Sequence, residues 1–348
     1  MFEKTYLISY KKSAREALRQ LNEIGTLEAV LFIYDEHYNI IGSLADGDIR
    51  RGLLQFLQID EPVSLFMNRN FHYCIENISN DQLIKLKSLD IRYIPILDKN
   101  KKLIKIADIS IFRTVLGIDV AIIAGGRGER LKPLTDTVPK PLLKIGERPI
   151  LEHTIDRLIS FGISNFHISI GYLGHFIKNY FGNGKQKNIS IKYLSESKPL
   201  GTVGALSLIK NMNSDVLLFM NSDLLTNIDF ADFYETFNKS NADFAVATIP
   251  YNINVPYAVM EIDKNNQVSS FKEKPIYTYY SNAGIYLIKK KLLKHIPKNE
   301  KFDATTLMNK LIEKKYKIIS YPIIGYWLDI GRMDDFIKAQ QDIKLINF

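Results

Sequence analysis

The sequence predicts an α/β protein with two parts: a duplicated region at residues 1–116, and a larger region at 117–348 built on a mostly parallel, Rossmann-like sheet. From residue 119 onward, apolar strands alternate with helical segments, which is the pattern of a parallel sheet covered by helices on both faces. Residues 1–116 instead contain one strand–turn–strand pattern twice. At 348 residues, the chain is long enough for each part to bury its own core.

The region 1–116 reads as two halves related by internal duplication. Asp35 and Asp98 each follow an apolar strand and begin a turn, and aligning these two residues keeps the apolar residues after the turn in register. Each half also contains a capping box that starts a helix, Ser13-x-x-Glu16 in the first and Ser79-x-x-Gln82 in the second. We therefore predict two copies of one unit with a period of roughly 60 residues.

The segment Gly42–Arg51 reads Gly-Ser-Leu-Ala-Asp-Gly-Asp-Ile-Arg-Arg and resembles part of the cystathionine-β-synthase (CBS) domains. The resemblance implies a tandem CBS pair over residues 1–116, which would regulate the protein or pair its subunits, and we therefore expect a homo-oligomer. In CBS domains the residue equivalent to Asp48 often binds an adenosyl ribose, so Asp48 is the candidate contact for an adenine nucleotide. The second half has Ile111 at the matching position, so we expect at most one intact pocket. A purely architectural pair is the alternative.

The region from residue 119 onward shows the strand–helix alternation in detail. We expect strands at 120–124, 166–170, 189–194 and 216–220, and helices at 149–159 and from 204 onward. The carboxyl ends of parallel strands lie at one edge of a sheet, and ligands bind in the crevice there. Candidate site residues should therefore follow the strands.

A glycine-rich turn follows the first of these strands. Ala124 ends the strand, and Gly125, Gly126 and Gly128 let the backbone approach a ligand and present amide groups to phosphate oxygens. The usual dinucleotide fingerprint would continue directly into a helix. Because the segment 131–134 contains a proline, we expect no helix there.

Two cations and two carboxylates complete the candidate site. Arg130 and Lys140 follow the glycine turn, where they can stabilise negative charge on phosphates in a transition state. Asp223 comes just after the strand 216–220, and Asp329 comes after another apolar stretch. Carboxylate oxygens are ligands that Mg²⁺ prefers, so the two aspartates could hold one Mg²⁺ together. Either aspartate alone could equally be a turn or helix-cap residue.

The segment 125–131 is followed by Pro133-Leu134-Thr135 and by Pro139-Lys140-Pro141-Leu142, and this order resembles the signature of the sugar-1-phosphate nucleotidyltransferases. The resemblance extends over nearly all of 119–348. It implies a GT-A-like nucleotidyltransferase domain that takes an NTP and a sugar 1-phosphate and uses Mg²⁺ as its cofactor. It assigns catalysis to Arg130 and Lys140 and the metal to Asp223 and Asp329.

The resemblance also implies binding roles for further residues. Those expected at the nucleotide are Ala124, Gly125, Gly126, Gly128, Glu129, Glu196, Gly201, Thr202 and Ser222. Those expected at the sugar phosphate are Glu273, Lys274, Asn282 and Gly284. Glu129 stands where many members have Thr, and Met333 stands where the family usually has Pro. The choice of nucleobase and the turn after Gly331 therefore stay open.

Together the resemblances imply transfer of a nucleoside monophosphate from an NTP to a sugar 1-phosphate, with release of pyrophosphate. CBS repeats in front of such a domain resemble the guanylyltransferases that make GDP-glucosamine for legionaminic acid synthesis, so GTP and glucosamine 1-phosphate rank first. UTP as donor and mannose or heptose 1-phosphate as acceptor stay open. A metal-dependent glycosyltransferase and a regulatory protein whose CBS pair senses an adenine nucleotide are alternatives from other classes.

Composition narrows the range of partners and cellular locations that the sequence allows. The net charge is +8, but the lysines are spread without a basic stripe interleaved with aromatic residues, so we expect no nucleic-acid partner. No apolar run approaches the roughly 20 residues of a membrane span, and the start lacks a secretory signal, so we expect a cytoplasmic protein with no membrane partner. The single cysteine, Cys74, excludes an internal disulfide, and the six histidines show no catalytic or metal-binding spacing.

Overall fold

The computed structural model describes residues 5–24, 29–89 and 91–346. The chain forms two compact units, Met1–Val115 and Leu116–Phe348, called here the first and second units. Within the described residues, no helix has both the length and the apolar character that crossing a membrane requires.

The first unit contains two three-stranded sheets with the same topology. Its strands are β1 Leu7–Ser9, β2 Val30–Tyr34, β3 Ile40–Ala45, β4 Cys74–Ile75, β5 Tyr93–Leu97 and β6 Leu103–Asp108. Its α-helices in the described residues are α1 Ala14–Ile24, α2 Asp46–Leu54 and α3 Asn80–Ser88. In each sheet a parallel pair, β1–β2 or β4–β5, is followed by an antiparallel hairpin, β2–β3 or β5–β6.

The duplicated register extends to single residues. Both hairpins have a β-bulge between the last two residues of β2 and β5. In the following turns, Oδ1 of Asp35 and of Asp98 accepts hydrogen bonds from the backbone N–H groups two and four residues later. The capping boxes also form, with Glu16 Oε2 accepting from Ser13 N–H at 2.9 Å and Gln82 Oε1 accepting from Ser79 N–H at 3.0 Å. The predicted duplication is confirmed.

The second unit alternates strands and helices from its start. Its strands are β7 Asp119–Ala124, β8 Lys144–Ile145, β9 Arg148–Pro149, β10 Asn165–Ile170, β11 Ser190–Ser195, β12 Val216–Asn221, β13 Leu224–Thr226, β14 Phe244–Asn254, β15 Val259–Ile262, β16 Val268–Lys272, β17 Ile276–Lys289, β18 Ile318–Pro322 and β19 Trp327–Asp329. Its α-helices are α4 Ile150–Ser160, α5 Gly174–Phe181, α6 Gly201–Gly204, α7 Phe230–Lys239, α8 Ala304–Glu313 and α9 Met333–Asp342.

The central sheet has seven strands in the order β11-β10-β7-β12-β17-β14-β18. The first four are parallel, β17 is antiparallel to both neighbours, and β18 is parallel to β14, so the expected mostly parallel sheet is confirmed. The helix expected from residue 204 begins earlier, as the short α6. The N–H groups of Val203 and Gly204 donate to the carbonyl of Phe302, which fixes this earlier start.

The sheet is covered on both faces. Along β7, Val120, Ile122 and Ala124 pack into one apolar cluster, whereas Ala121 and Ile123 pack into another on the opposite face. Alternate residues of a strand point to opposite faces, so these two clusters are the two layers of the core. The layers hold the strand ends, and hence the candidate site residues, in fixed positions.

Candidate active site

Several predicted residues meet where the parallel strands end. Ala124, the last residue of β7, pairs with the last residue of β10, and the N–H of Ser222 donates to the carbonyl of Ile123 at 3.2 Å. Glu196 directly follows β11, and its N–H donates to the carbonyl of Ile170 at 2.9 Å. Ala124, Glu196 and Ser222 therefore lie on one edge of the sheet, as expected for the carboxyl ends of parallel strands.

The three glycines of the turn serve different purposes. A Cβ at Gly125 would lie 2.3 Å from Oε1 of Glu196, so Gly125 makes room for that carboxylate. Gly128 has a left-handed backbone (φ +66°), and a Cβ there would lie 3.0 Å from Cβ of Lys140. A Cβ at Gly126 would meet nothing within 4 Å, and its φ is ordinary. Gly126 is thus the one glycine of this turn with open space at its Cβ position, and the ligand contacts of all three glycines stay predictions.

Arg130 and Glu129 follow on a short 3₁₀ turn, Glu129–Leu131, and both are exposed. As expected, no α-helix starts at this point. A Cβ at Gly331 would lie 3.4 Å from Nη2 of Arg130 and 3.5 Å from Oδ1 of Asp329, so the guanidinium and this carboxylate face the same small volume. The glycine turn is thereby connected to Asp329, the last residue of β19.

The two aspartates are brought together by the antiparallel pair β13–β19. Leu224 pairs with Asp329, and the N–H of Ile330 donates to the carbonyl of Asp223 at 3.0 Å. Nζ of Lys140, a residue only 8% exposed, forms an ion pair with Oδ2 of Asp223 at 2.5 Å. Arg130, Lys140, Asp223 and Asp329 therefore form one charged cluster, although sequence reasoning had not foreseen the direct lysine–aspartate contact.

The electrostatics of this cluster favour a proton or a cation at Asp329. Burial raises the pKa of Asp329, repulsion from Asp223 raises it further, and the positive charges of Lys140 and Arg130 partly oppose both effects. Oδ1 of Asp223 and Oδ1 of Asp329 are buried and have no hydrogen-bond partner among the described residues. Buried acceptors without partners are costly, and a hard cation would satisfy both.

A divalent cation at this cluster would have two protein ligands. Across the described ranges, no group of three or more His, Cys, Asp or Glu side chains is arranged to hold a metal. The free oxygens of Asp223 and Asp329 nevertheless fit Mg²⁺, because Mg²⁺ commonly takes one or two carboxylates and completes its octahedron with water and phosphate oxygens.

The raised pKa of Asp329 leads to a prediction about stability. Because the folded state binds this proton more tightly than the unfolded state, the stabilising contribution of Asp329 is present below its ordinary pKa and is lost as the pH rises through the folded-state value. Without divalent cations, Asp329→Asn should therefore raise the free energy of unfolding at pH 7 by about 0.5–2 kcal/mol. The gain should shrink as the pH falls towards the ordinary pKa of Asp.

Urea unfolding at several pH values measures this difference. Asp334→Asn, the same substitution at an exposed position on α9, is the matched control. A variant at Asp329 that is less stable than the wild type at pH 7 in the absence of divalent cations would contradict the account.

Gly201 and Thr202, at the start of α6, lie against the start of α8. Gly201 has φ +76°, and a Cβ there would lie 2.5 Å from Oδ1 of Asp303. The N–H of Thr202 donates to this same Oδ1 at 3.2 Å, and Oγ1 of Thr202 accepts from the N–H of Ala304 at 2.9 Å. These bonds fix the loop to the start of α8.

The predicted sugar-phosphate residues divide into two groups. Gly284 has φ +73° and packs against Asn221, and its N–H donates to Oδ1 of Asn282 at 2.9 Å, so these residues lie beside the end of β12. Glu273 and Lys274 lie in the exposed turn between β16 and β17. In the described part of the chain, neither forms an ion pair or a side-chain hydrogen bond, and about 20 Å of β17 separates the start of that strand from Asn282. The sugar-phosphate roles of Glu273 and Lys274 therefore stay predictions.

Asp48 of the first unit is already engaged within its own helix. Oδ2 accepts from the N–H of Ala45 at 2.8 Å, which caps α2, and Oδ1 forms an ion pair with Arg51 at 2.5 Å. A ribose hydroxyl would have to displace or share these contacts.

Sequence reasoning missed three supporting residues. Thr135 donates from Oγ1 to the carbonyl of Gly128 at 2.9 Å, Asn221 packs against Gly284, and Asp303 holds the Gly201–Thr202 loop. Asp303 had a usable signal, because an aspartate directly before a helical segment is a typical N-cap. Thr135 belongs to the Pro133-Leu134-Thr135 motif but was given no role of its own, and Asn221 has no comparable local signal.

Comparisons with known proteins agree with this geometry. A family model described as nucleotidyl transferase matches residues 120–345, well over half of the chain. D-glycero-α-D-manno-heptose 1-phosphate guanylyltransferase of Aneurinibacillus thermoaerophilus is 30% identical over 233 residues, which cover 65% of this chain and 99% of that protein. Mannose-1-phosphate guanylyltransferase of Mycobacterium tuberculosis is 27% identical over 233 residues, 65% of this chain, and the chain spans 64% of its length.

A solved structure shares the fold. The crystal structure of HddC from Yersinia pseudotuberculosis in complex with GMP-PN is similar with a TM-score of 0.51 and 25% identity, and the match covers 65% of this chain and 99% of that one. Together with the family match over 120–345 and the charged cluster beside the glycine turn, this similarity leads to one conclusion: the chain belongs to the nucleotidyl transferase family.

Proposed function

We propose that this protein transfers a nucleoside monophosphate from an NTP, with GTP preferred, to a sugar 1-phosphate, releasing pyrophosphate. The observation that carries the proposal is the cluster of Arg130, Lys140, Asp223 and Asp329 beside the glycine turn, where Gly128 lies against Lys140. Such a cluster combines cations for phosphate oxygens with carboxylates that suit a divalent cation. The guanylyltransferase relatives support the same class of reaction.

The chemistry needs positioning and charge neutralisation from the protein. A phosphate oxygen of the sugar 1-phosphate attacks the α-phosphorus in line, a new P–O bond forms, and the α–β anhydride bond breaks to release pyrophosphate. Because the nucleophile is already ionised, no general base is required. Arg130 and Lys140 stabilise the charge that develops on the phosphate oxygens. Asp223 and Asp329 would hold Mg²⁺, which when bound would supply further positive charge.

Glu196 supports guanine as the base. Its Oε2 accepts from the N–H of Leu200 at 2.9 Å, while Oε1 has no hydrogen-bond partner among the described residues. An ionised carboxylate only accepts hydrogen bonds. Guanine offers N1–H and N2–H₂ side by side, whereas the N3–H of uracil lies between two carbonyl oxygens that repel a carboxylate. We therefore assign Glu196 to the edge of the guanine.

Glu196→Gln should reduce the preference for GTP. A hydrogen bond to a charged group contributes about 1.5–3 kcal/mol, so kcat/KM for GTP should fall by roughly 10-fold or more relative to that for UTP. Competition between the two nucleotides in one assay measures the ratio. Glu147→Gln, in the exposed turn between β8 and β9, serves as the matched control. An unchanged ratio in the Glu196 variant would remove Glu196 from base recognition.

Glucosamine 1-phosphate is the acceptor that we propose first, within legionaminic acid synthesis. The support is the CBS-like region in front of the transferase, an arrangement that resembles the guanylyltransferases of that route. Heptose and mannose 1-phosphates are the alternatives, because the relatives are named for them. We further propose that residues 1–116 are a CBS pair that joins subunits or binds an adenine nucleotide near Asp48. The duplicated hairpins support this assignment.

A pyrophosphate-release screen tests the proposal. Four NTPs are combined with glucosamine, mannose and heptose 1-phosphates in the presence of Mg²⁺. We expect GTP with glucosamine 1-phosphate to give the fastest release. A glycosyltransferase would instead consume nucleotide sugars and release no pyrophosphate, and absence of release from every pair would overturn the proposal.

A further inference from the structure

The antiparallel pair β14–β17 extends beyond the seven-stranded sheet as a two-stranded ribbon. β18 pairs with β14 only as far as Thr248, and β12 pairs with β17 only from Ile285 onward. Among the described residues, 249–254 and 276–281 therefore pair only with each other, and the hairpin β15–β16 lies between them in sequence. We call residues 249–281 the arm.

The arm exposes an unusual number of large apolar side chains. Ten are exposed, most of them by more than half: Tyr251, Ile253, Tyr257, Met260, Ile262, Val268, Phe271, Ile276, Tyr279 and Tyr280. Tyr251 pairs with Tyr279 across the ribbon, and Met260 pairs with Phe271 across the hairpin. Residues directly opposite in a pair lie on the same face, so the two apolar side chains of each pair form one continuous apolar surface.

The exposed area matches one half of a stable interface. Large aromatic side chains present about 150–250 Å² each, and five of the ten are aromatic, so the exposed apolar area is roughly 1,000 Å² over both faces of the arm. The largest apolar patch of a typical monomer is about 300–600 Å². A standard interface buries about 800 Å² on each partner. A two-stranded ribbon alone is only marginally stable in water, so we expect another protein surface to cover the arm.

The charges of the arm favour a second copy of the same chain as its partner. Its charged residues are three acidic and three basic side chains: Glu261, Asp263, Glu273, Lys264, Lys272 and Lys274. The arm is therefore neutral, although the whole chain carries +8. A basic arm would suit an acidic partner better. Two neutral arms can associate without net electrostatic repulsion. The free backbone edges of the ribbon also allow strand pairing about a two-fold axis.

We propose that the arm is the interface between two copies of this chain, packed about a two-fold axis. The same patch is then buried on both subunits, so each substitution changes both sides of the interface. This proposal does not depend on the substrate of the enzyme, since it concerns association alone.

Analytical ultracentrifugation of the full-length protein tests the interface. The combined variant Phe271→Glu and Tyr279→Glu should halve the number of subunits in the assembly, because four buried carboxylates would face one another. The same substitution at Ile312, which is 61% exposed on α8 and lies outside the arm, should leave the assembly unchanged. Matching melting temperatures and circular dichroism show that the variants remain folded.

Three outcomes would overturn the proposal. A wild-type protein that is monomeric at all accessible concentrations has no such interface, and its arm then serves another partner. An assembly that persists in the arm variant is built from another surface. An Ile312→Glu variant that dissociates equally would show that the effect is not specific to the arm. The milder pair Phe271→Ser and Tyr279→Ser, which adds no charge, should weaken the assembly in the same direction.

Discussion

Asp223→Asn should lower the rate of pyrophosphate release by about 10²–10³-fold, the typical cost of removing one preorganised charged contact to a transition state. Asp223 contributes the free Oδ1 that suits a divalent cation, and its Oδ2 holds Nζ of Lys140. Asparagine keeps the shape but removes the charge. It therefore weakens the cation site and releases the lysine from its fixed position. We expect kcat to fall and the Mg²⁺ requirement to rise.

Asp229→Asn provides the matched control for this substitution. Asp229 lies six residues further along and caps α7, where Oδ1 accepts from the N–H groups of Ala231 and Asp232. Asparagine caps helices about as well as aspartate, so activity and stability should both be retained. Removing one partner of a buried ion pair can itself destabilise a protein by about 3–5 kcal/mol. Thermal unfolding of both variants therefore distinguishes a loss of catalytic activity from a loss of folded protein. A folded Asp223→Asn enzyme with full activity would contradict the catalytic role assigned to Asp223.

The strand ends of the second unit could be predicted because their signals are local. Buried parallel strands read as continuous apolar runs, and residues that follow such runs meet at one edge. This reasoning placed Asp223 correctly at the edge of the sheet, whereas Glu196 was predicted only from the family resemblance. It could not foresee the ion pair of Lys140 with Asp223, because 83 residues separate them and side-chain packing decides which charges touch.

The arm shows where sequence patterns give too little information. Apolar and polar residues alternate over 251–254 of β14, which is the pattern of a strand with one buried face. Alternation predicts a strand but not what covers its apolar face. Lys274 is a related case: the motif predicts a sugar-phosphate contact, but local spacing does not predict the exposed turn before a strand of 14 residues in which the residue lies. Long-range geometry of this kind is not encoded in local spacing.

Gly126→Ala should lower NTP-dependent turnover by about 10²-fold while leaving the fold intact. Since a Cβ at Gly126 meets no atom of the protein within 4 Å and the backbone needs no left-handed φ, the fold does not require glycine there. Alanine at such a position commonly stabilises a protein by about 0.4–1 kcal/mol, so the melting temperature should stay level or rise slightly. The methyl group would instead occupy space that a phosphate needs against the backbone amides. A displacement of about 1 Å at a reacting centre can cost 10²-fold in rate.

Gly117→Ala is the control for this experiment, because a Cβ at Gly117 also meets nothing within 4 Å and this exposed residue lies before β7, away from the glycine turn. Gly125→Ala is less informative, since its Cβ would collide with Glu196 and disturb the fold as well as the ligand. Steady-state kinetics should show a raised KM for the NTP and a lowered kcat for Gly126→Ala, with wild-type values for Gly117→Ala. If both glycine variants turn over NTP at the wild-type rate, the open face at Gly126 is not where the nucleotide phosphates bind.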